Sequence, residues 1–417
     1  MKYLYFVAVC ILGLMMSSLT FAATTTKLTL RQALTLTQNN HPTLQQLPYR
    51  QRMVEGQVLQ ASIRPNPVVA LELENLLGSG ESAGVKHAEA TLSFSQLIEL
   101  GDKRQWRIAA ASAEQRQLEA EFTYQQIDIL AQTTERFYRA VQLQQLYQWS
   151  VQQQARLDNA LRIAKERIAA GANSTSEVTR IRLQQARFQA DTNELQGKLQ
   201  EAYANLSNMW LAEPDFDGVN GLFQNLAKLP TAAAVDSAIN QAPEFLRLLD
   251  SERSLDAKAR ALATASNADI TVGLGLRYNN EFDDAGLVAK VSMPLLLSDP
   301  NQGHAQSMQA ERDLLIDQQR LVRVQLRTLA NTILERLKTN QSYLQAITSE
   351  LLPLATMLVK EINAGYSRGS YSLLQVLDAQ NELARLEYDQ INRLYAIYSD
   401  VLMLERTTGQ SFLEDPQ

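Results

Sequence analysis

From Asp102 to Ala170 the chain contains neither proline nor glycine. Ala, Gln, Glu, Arg and Leu dominate this run, and they lose little conformational freedom in a helix. At about 1.5 Å per residue, such a helix would extend roughly 100 Å. A helix of that length cannot bury itself in a compact globule; it needs neighbouring helices along its course. A second run, Gln302 to Ala364, is its counterpart. Pro353 lies within it and predicts a bend or a local loosening, because proline lacks the amide donor and crowds the carbonyl four residues back.

The two runs belong to a duplication. "GANSTSEV" begins at Gly171 and "GSYSLLQV" at Gly369, an offset of 198 (369 − 171). "LAQT" at Leu130 and "LANT" at Leu329 are 199 apart (329 − 130), and Ala186-Arg187 and Ala384-Arg385 are 198 apart (384 − 186). Several matches near one offset indicate an internal repeat. The expected division is residues 23–212 for the first repeat, 213–230 for a linker and 231–417 for the second repeat. Each repeat reads helix, strand, strand, very long helix, turn, helix. His41-Pro42 and Ala242-Pro243 interrupt the first helix of each.

The strands show as alternation with period two. Val68 to Leu77 sets Leu71 and Leu73 against Glu72 and Glu74; Lys86 to Phe94 sets Leu92 and Phe94 against Glu89 and Thr91. In the second repeat, Leu274 and Leu276 oppose Arg277, and Val291 opposes Lys290 and Ser292.

Residues 1–22 read as a secretory signal: Lys2, an apolar run from Leu4 to Met16, then Thr20-Phe21-Ala22 as a small-residue cleavage site. The single cysteine, Cys10, falls inside it, so the processed chain would hold no thiol, disulfide or thiolate metal site. No later stretch gives 18 apolar residues in a row, so a membrane crossing would have to use β-strands. The net charge of −6 and the interspersed charges argue against nucleic acid as a partner.

Four strands cannot close a barrel, but three copies supply twelve, and a closed barrel leaves no edge in lipid. The expected fold class is therefore mainly α with a β membrane part: an internally duplicated, long α-helical coiled-coil barrel plus four strands per chain, closing as a 12-stranded barrel in a homotrimer. Leu71, Leu73, Leu92, Phe94, Leu274, Leu276 and Val291 would face outer-membrane lipid, and Glu72, Glu74 and Glu89 the lumen. The glycine motif is then the tip of a helical hairpin. Gly171 and Gly369 allow the reversal, Ser174 and Ser372 cap the returning helix, and Val178 and Val376 begin its packed face. A seam at Leu373, Leu377, Gln380, Ala384, Glu387, Ile391, Leu394, Tyr398 and Val401 steps by three and four, as packed helices require.

"AGYSRGSYSLLQVLDAQNELAR", Ala364 to Arg385, together with the duplication and the paired strands, resembles the TolC-type outer membrane efflux proteins over nearly the whole chain after the signal. The resemblance implies a homotrimeric channel in the outer membrane of a Gram-negative bacterium, extending into the periplasm. It also implies a tripartite pump with a periplasmic adaptor and an inner-membrane RND-type transporter. Carried over by position, the closure of the periplasmic tip falls on Glu177 and Tyr366, and the residues lining the narrowest point on Gln375 and Asp378. Gln375 departs from the acidic pattern. Asp378 either lines the constriction or pairs with Arg180. "SQLIELGDKRQWR", Ser95 to Arg107, is similar to the cobalt–zinc–cadmium branch, which has a second glycine where this chain has Asp102. That similarity implies export of heavy-metal cations; drug efflux and type I protein secretion are the alternatives.

No enzyme, cofactor or catalytic residue is expected. His41, His87 and His304 have no metal-binding spacing, and no phosphate-binding glycine loop is present. A soluble scaffold or an adaptor is the rival of another class, but an adaptor would have one helical hairpin rather than two.

Overall fold

The run without proline or glycine is one continuous helix. In the computed structural model, which describes residues 27–171, 175–224 and 230–412, it spans Lys103–Ala169. In chain order the first elements are β1 (Lys27–Thr29), α1 (Leu30–Asn40), α2 (Leu47–Ser62), β2 (Val68–Glu74), β3 (Glu89–Ile98), α3 (Lys103–Ala169), α4 (Thr175–Ser207) and β4 (Gly218–Asn220). There follow α5 (Ala232–Ile239), α6 (Pro243–Ala265), β5 (Ile270–Asn279), β6 (Asp284–Ser292), α7 (Gln302–Ala346), α8 (Leu352–Ser367) and α9 (Leu373–Thr408). The expected signal segment and Ser174 lie outside the described residues.

Local chemistry sets the breaks. His41 and Ala242 are extended, with ψ of 127° and 134°, because the proline that follows each disfavours helical backbone. Thr29 and Gln32 form a capping box at the start of α1. Between α7 and α8, Ile347–Leu351 forms one π-helical turn. Pro353 crowds the carbonyl of Ser349, and the wider turn gives that carbonyl room without ending the helix. The expected loosening at Pro353 thus takes a specific form.

The described chain divides into two compact units. Among the described residues, the first comprises 27–41, 132–171, 175–224 and 339–399, and the second 42–131, 230–338 and 400–412. Each draws on both halves of the sequence, and α3, α7 and α9 contribute to both units.

The second unit contains a four-stranded antiparallel sheet in the order β2-β3-β5-β6. Its register pairs Leu71 with Leu92, Leu92 with Leu276, and Leu276 with Leu287. Since partners share a face, one face gathers Val69, Leu71, Leu73, Leu92, Phe94, Leu274, Leu276, Leu287 and Val291. These side chains are exposed: Leu71 by 65%, Leu274 by 61%, Val291 by 73%. The other face gathers Glu72, Glu74, Glu89, Thr91, Arg277, Asn279, Asp284 and Lys290. The strand limits differ from the sequence expectation. β2 ends at Glu74 rather than Leu77, because Asn75 and Leu77 turn left-handed (φ 56° and 60°). β3 begins at Glu89 rather than Lys86 and continues to Ile98. The helices of this unit are laced by ion pairs: Arg247 of α6 with Glu121 of α3 at 3.1 Å, and Arg312 of α7 with Asp256 of α6 at 3.2 Å.

In the first unit, β1 and β4 pair in parallel. The expected linker thus holds a strand. Gln144 of α3 completes it: its amide donates to the Val219 carbonyl and its oxygen accepts from the Val219 amide, both at 2.9 Å. Tyr138, Phe223 and Tyr398 stack edge-on nearby. The α9 seam is largely buried, and its acidic interruption is paired, since Arg156 holds Glu387 with two bonds of 2.9 and 2.7 Å.

Candidate functional site

Four helix ends of the first unit meet at the glycine turns. α3 and α4 are joined through Gly171, and α8 and α9 through Gly369. Their shared core is Leu157, Ala160, Ala164, Ile181, Tyr366, Leu373, Val376 and Leu377, with Val178 packed against it.

The α8–α9 turn is fully bonded. The Ser370 amide donates to the Gly365 carbonyl at 2.8 Å and the Gly369 amide to the Tyr366 carbonyl at 3.0 Å. That is a Schellman closure, which needs a left-handed residue, and Gly369 has φ 84°. Gly171 is likewise left-handed, with φ 78°. Ser372 then caps α9 reciprocally with Gln375: the Gln375 side-chain oxygen accepts from the Ser372 amide at 2.9 Å, and the Gln375 amide donates to the Ser372 hydroxyl at 3.4 Å. Gln375 is therefore occupied in the cap.

Tyr366 is the centre of the site. It is 2% exposed, and its hydroxyl donates to Glu177 Oε2 at 3.1 Å. The guanidinium of Arg167 lies over its ring, 4.2 Å from the centroid, and hydrogen-bonds the Tyr366 carbonyl. One tyrosine so ties α8 to both α3 and α4. Asp378 is exposed and makes no salt bridge among the described residues, with Arg180 or any other partner.

The lumen candidates lie together on the polar face of the sheet. Glu74 and Glu89 are register partners, and both pair with Arg277. Glu72 is exposed. At the strand ends, His87 Nδ1 is 2.6 Å from Glu281. Among the described residues, no group of three or more His, Cys, Asp or Glu side chains is placed to hold a metal ion, and no helix is long and apolar enough to cross a membrane.

Sequence reasoning missed Arg167 and Gly365. A basic residue in the last turn before a glycine is a helix-end signal, and Arg167 carries it. Gly365 is a matter of contact, since a Cβ there would lie 2.6 Å from Tyr371 Cε2, which no spacing rule reveals.

Very long helices reversed at glycine turns, together with an antiparallel sheet whose exposed face is apolar, are shared with outer-membrane channels of known structure. Residues 33–210 match the outer membrane efflux protein family. It is 26% identical over 388 residues to the cobalt-zinc-cadmium resistance protein CzcC of Cupriavidus metallidurans, covering 92% of this chain and 90% of that one. In fold it is similar to the outer membrane protein VceC of Vibrio cholerae (TM-score 0.74, 15% identity, 92% of this chain and 97% of that one). It is similar also to CusC (TM-score 0.73, 14% identity, 91% of each chain). CusC forms a transmembrane channel.

Proposed function

We propose that the protein is the outer membrane component of a tripartite pump that exports heavy-metal cations, working as a homotrimer. What carries this reading is the four-stranded sheet with one exposed apolar face and two unpaired edges, β2 and β6. Unpaired strand edges are not tolerated in lipid. Three copies joined edge to edge form a closed 12-stranded barrel, apolar outside and polar within. A periplasmic adaptor and an inner-membrane RND-type transporter complete the pump, because the chain carries no nucleotide-binding loop of its own. The cargo reading is supported by the resistance protein CzcC, which aligns along nine-tenths of both chains. Residues 1–22 act as a cleaved signal, and residues 23–212 and 231–417 are the two repeats around the linker 213–230.

Within this reading, the glycine turns form the periplasmic gate. Gly171 and Gly369 shape the hairpins, and Ser372 caps the second with Gln375. Glu177 and Tyr366 hold the gate shut, and Asp378 supplies an acidic ring. A ring of carboxylates attracts cations and repels anions.

The experiment is a tolerance profile of a strain lacking the protein, on zinc, cobalt, cadmium, nickel, copper and silver beside detergents, dyes and antibiotics. Sensitivity confined to metals, restored by the gene, is the expected result. Sensitivity to drugs alone would keep the channel and replace the cargo.

A further inference from the structure

On the polar face of the sheet, one arginine of β5 is held by residues of two other strands. Arg277 of β5 places Nη1 3.0 Å from Glu89 Oε2 on β3 and Nη2 3.4 Å from Glu74 Oε2 on β2. Its Nε donates to Thr91 Oγ1 at 3.1 Å. Asn279 donates to the second Glu89 oxygen at 2.8 Å. Glu74 and Glu89 are register partners, and directly opposed residues set their Cβ atoms about 4.5–5.5 Å apart. Without Arg277, two carboxylates would face each other with no cation between them. Like charges so placed repel, and a facing pair of carboxylates is a ready bridge for a divalent cation.

We propose that Arg277 is a built-in counter-cation: it occupies the Glu74–Glu89 pair so that the polar face offers no site where a divalent metal ion lodges. A conduit must attract its cargo and also release it. Glu72, on the same face of β2, is exposed and makes no salt bridge among the described residues. The face therefore keeps a carboxylate that attracts cations, while its one facing pair is filled. Because the guanidinium stays charged at all physiological pH values, the site stays filled whatever the pH outside the cell. A lysine would also fill it; a neutral residue would not. The inference rests on the proposed barrel, with this face turned to the lumen.

The test is zinc chloride added to full-length trimers conducting in planar bilayers. Half-block of Arg277→Gln is expected at a zinc concentration at least about tenfold below that for the wild type. Arg277→Lys is expected to match the wild type. The double variant Glu74→Gln/Arg277→Gln, which has no facing pair, is expected to lose the added sensitivity. Equal sensitivity of wild type and Arg277→Gln overturns the inference, as does a lysine variant that blocks like the glutamine one. Failure of Arg277→Gln to form trimers overturns it too, since the arginine would then serve assembly. If the wild type forms no channels at all, the barrel reading falls first and this inference with it.

Discussion

The Tyr366 side chain bonds Glu177 through its hydroxyl and packs its ring under Arg167 and into the core, and the hydroxyl bond can be removed by itself. Tyr366→Phe keeps the ring beneath Arg167 and loses only the hydroxyl bond to Glu177, a loss of about 1–2 kcal/mol. Tyr366→Ala also empties a core position, and an aromatic truncation costs about 3–5 kcal/mol. If this turn is the gate, single-channel conductance in planar bilayers should rise in the order wild type, Tyr366→Phe, Tyr366→Ala, with Glu177→Ala close to the phenylalanine variant. Identical conductance in all four would remove the gate from this tyrosine. Asp102 is a second residue whose role the backbone explains. Gly101 and Asp102 are both left-handed, with φ 73° and 57°, and aspartate is among the few residues other than glycine that tolerate that region. Asp102→Gly should leave trimer melting unchanged or slightly raised, whereas Asp102→Val should lower stability by about 1–2 kcal/mol.

At the scale of elements, the two glycines of the second turn have different jobs. Gly369 sits in open space, with only Arg167 Nη2 at 3.9 Å from an added Cβ, so Gly369→Ala pays for its left-handed backbone alone, about 1 kcal/mol. Gly365→Ala would instead push the Tyr371 ring away. A bulky residue at Gly369 should block crosslinking to the adaptor while trimers survive. Another test lies between α7 and α9, where Arg336 hydrogen-bonds Asp400. Burial pushes the Asp400 carboxyl above its ordinary range, and Arg336 only partly offsets that. A carboxyl raised in the folded state binds protons more readily there than in the unfolded chain. It therefore favours folding at low pH, and that contribution is lost as pH rises through the raised value. At neutral pH the buried charge is a cost, and the arginine is exposed enough to be solvated alone. Asp400→Asn should thus stabilise by about 1 kcal/mol at pH 7 and give no gain once the pH falls below the ordinary carboxylate range. Thermal melts across pH check both halves of that statement. Long elements were readable in the sequence because their signals accumulate: α3 from a run of helix formers, the strands from period two. β1 and β4 were not, since three residues hold no period. Of the site, Gly171, Gly369 and the Ser372 cap were legible as local chemistry. The Arg167–Tyr366 stack and the Arg277 clamp were not, because each joins residues brought together only by packing.

For the whole molecule, the decisive question is which face of the sheet meets lipid, and two adjacent residues answer it. Leu71 and Glu72 are neighbours in β2, exposed on opposite faces. A barrel wall makes them inequivalent: an arginine on the lipid side costs about 2–4 kcal/mol near the bilayer midplane, whereas a lumen-side substitution alters selectivity instead. A soluble sheet would make them nearly equivalent, since both side chains would remain in water, and there Leu71→Arg would even relieve an apolar patch. The expected outcome is that Leu71→Arg sharply reduces the heat-resistant trimer recovered from the outer membrane fraction, while Glu72→Arg assembles normally and conducts with a lowered cation preference. Equal recovery of both variants would mean that the apolar face does not lie against lipid. The twelve-stranded closure, the inward polar face and the role of Arg277 would then all have to be abandoned together, because each follows from that one assignment.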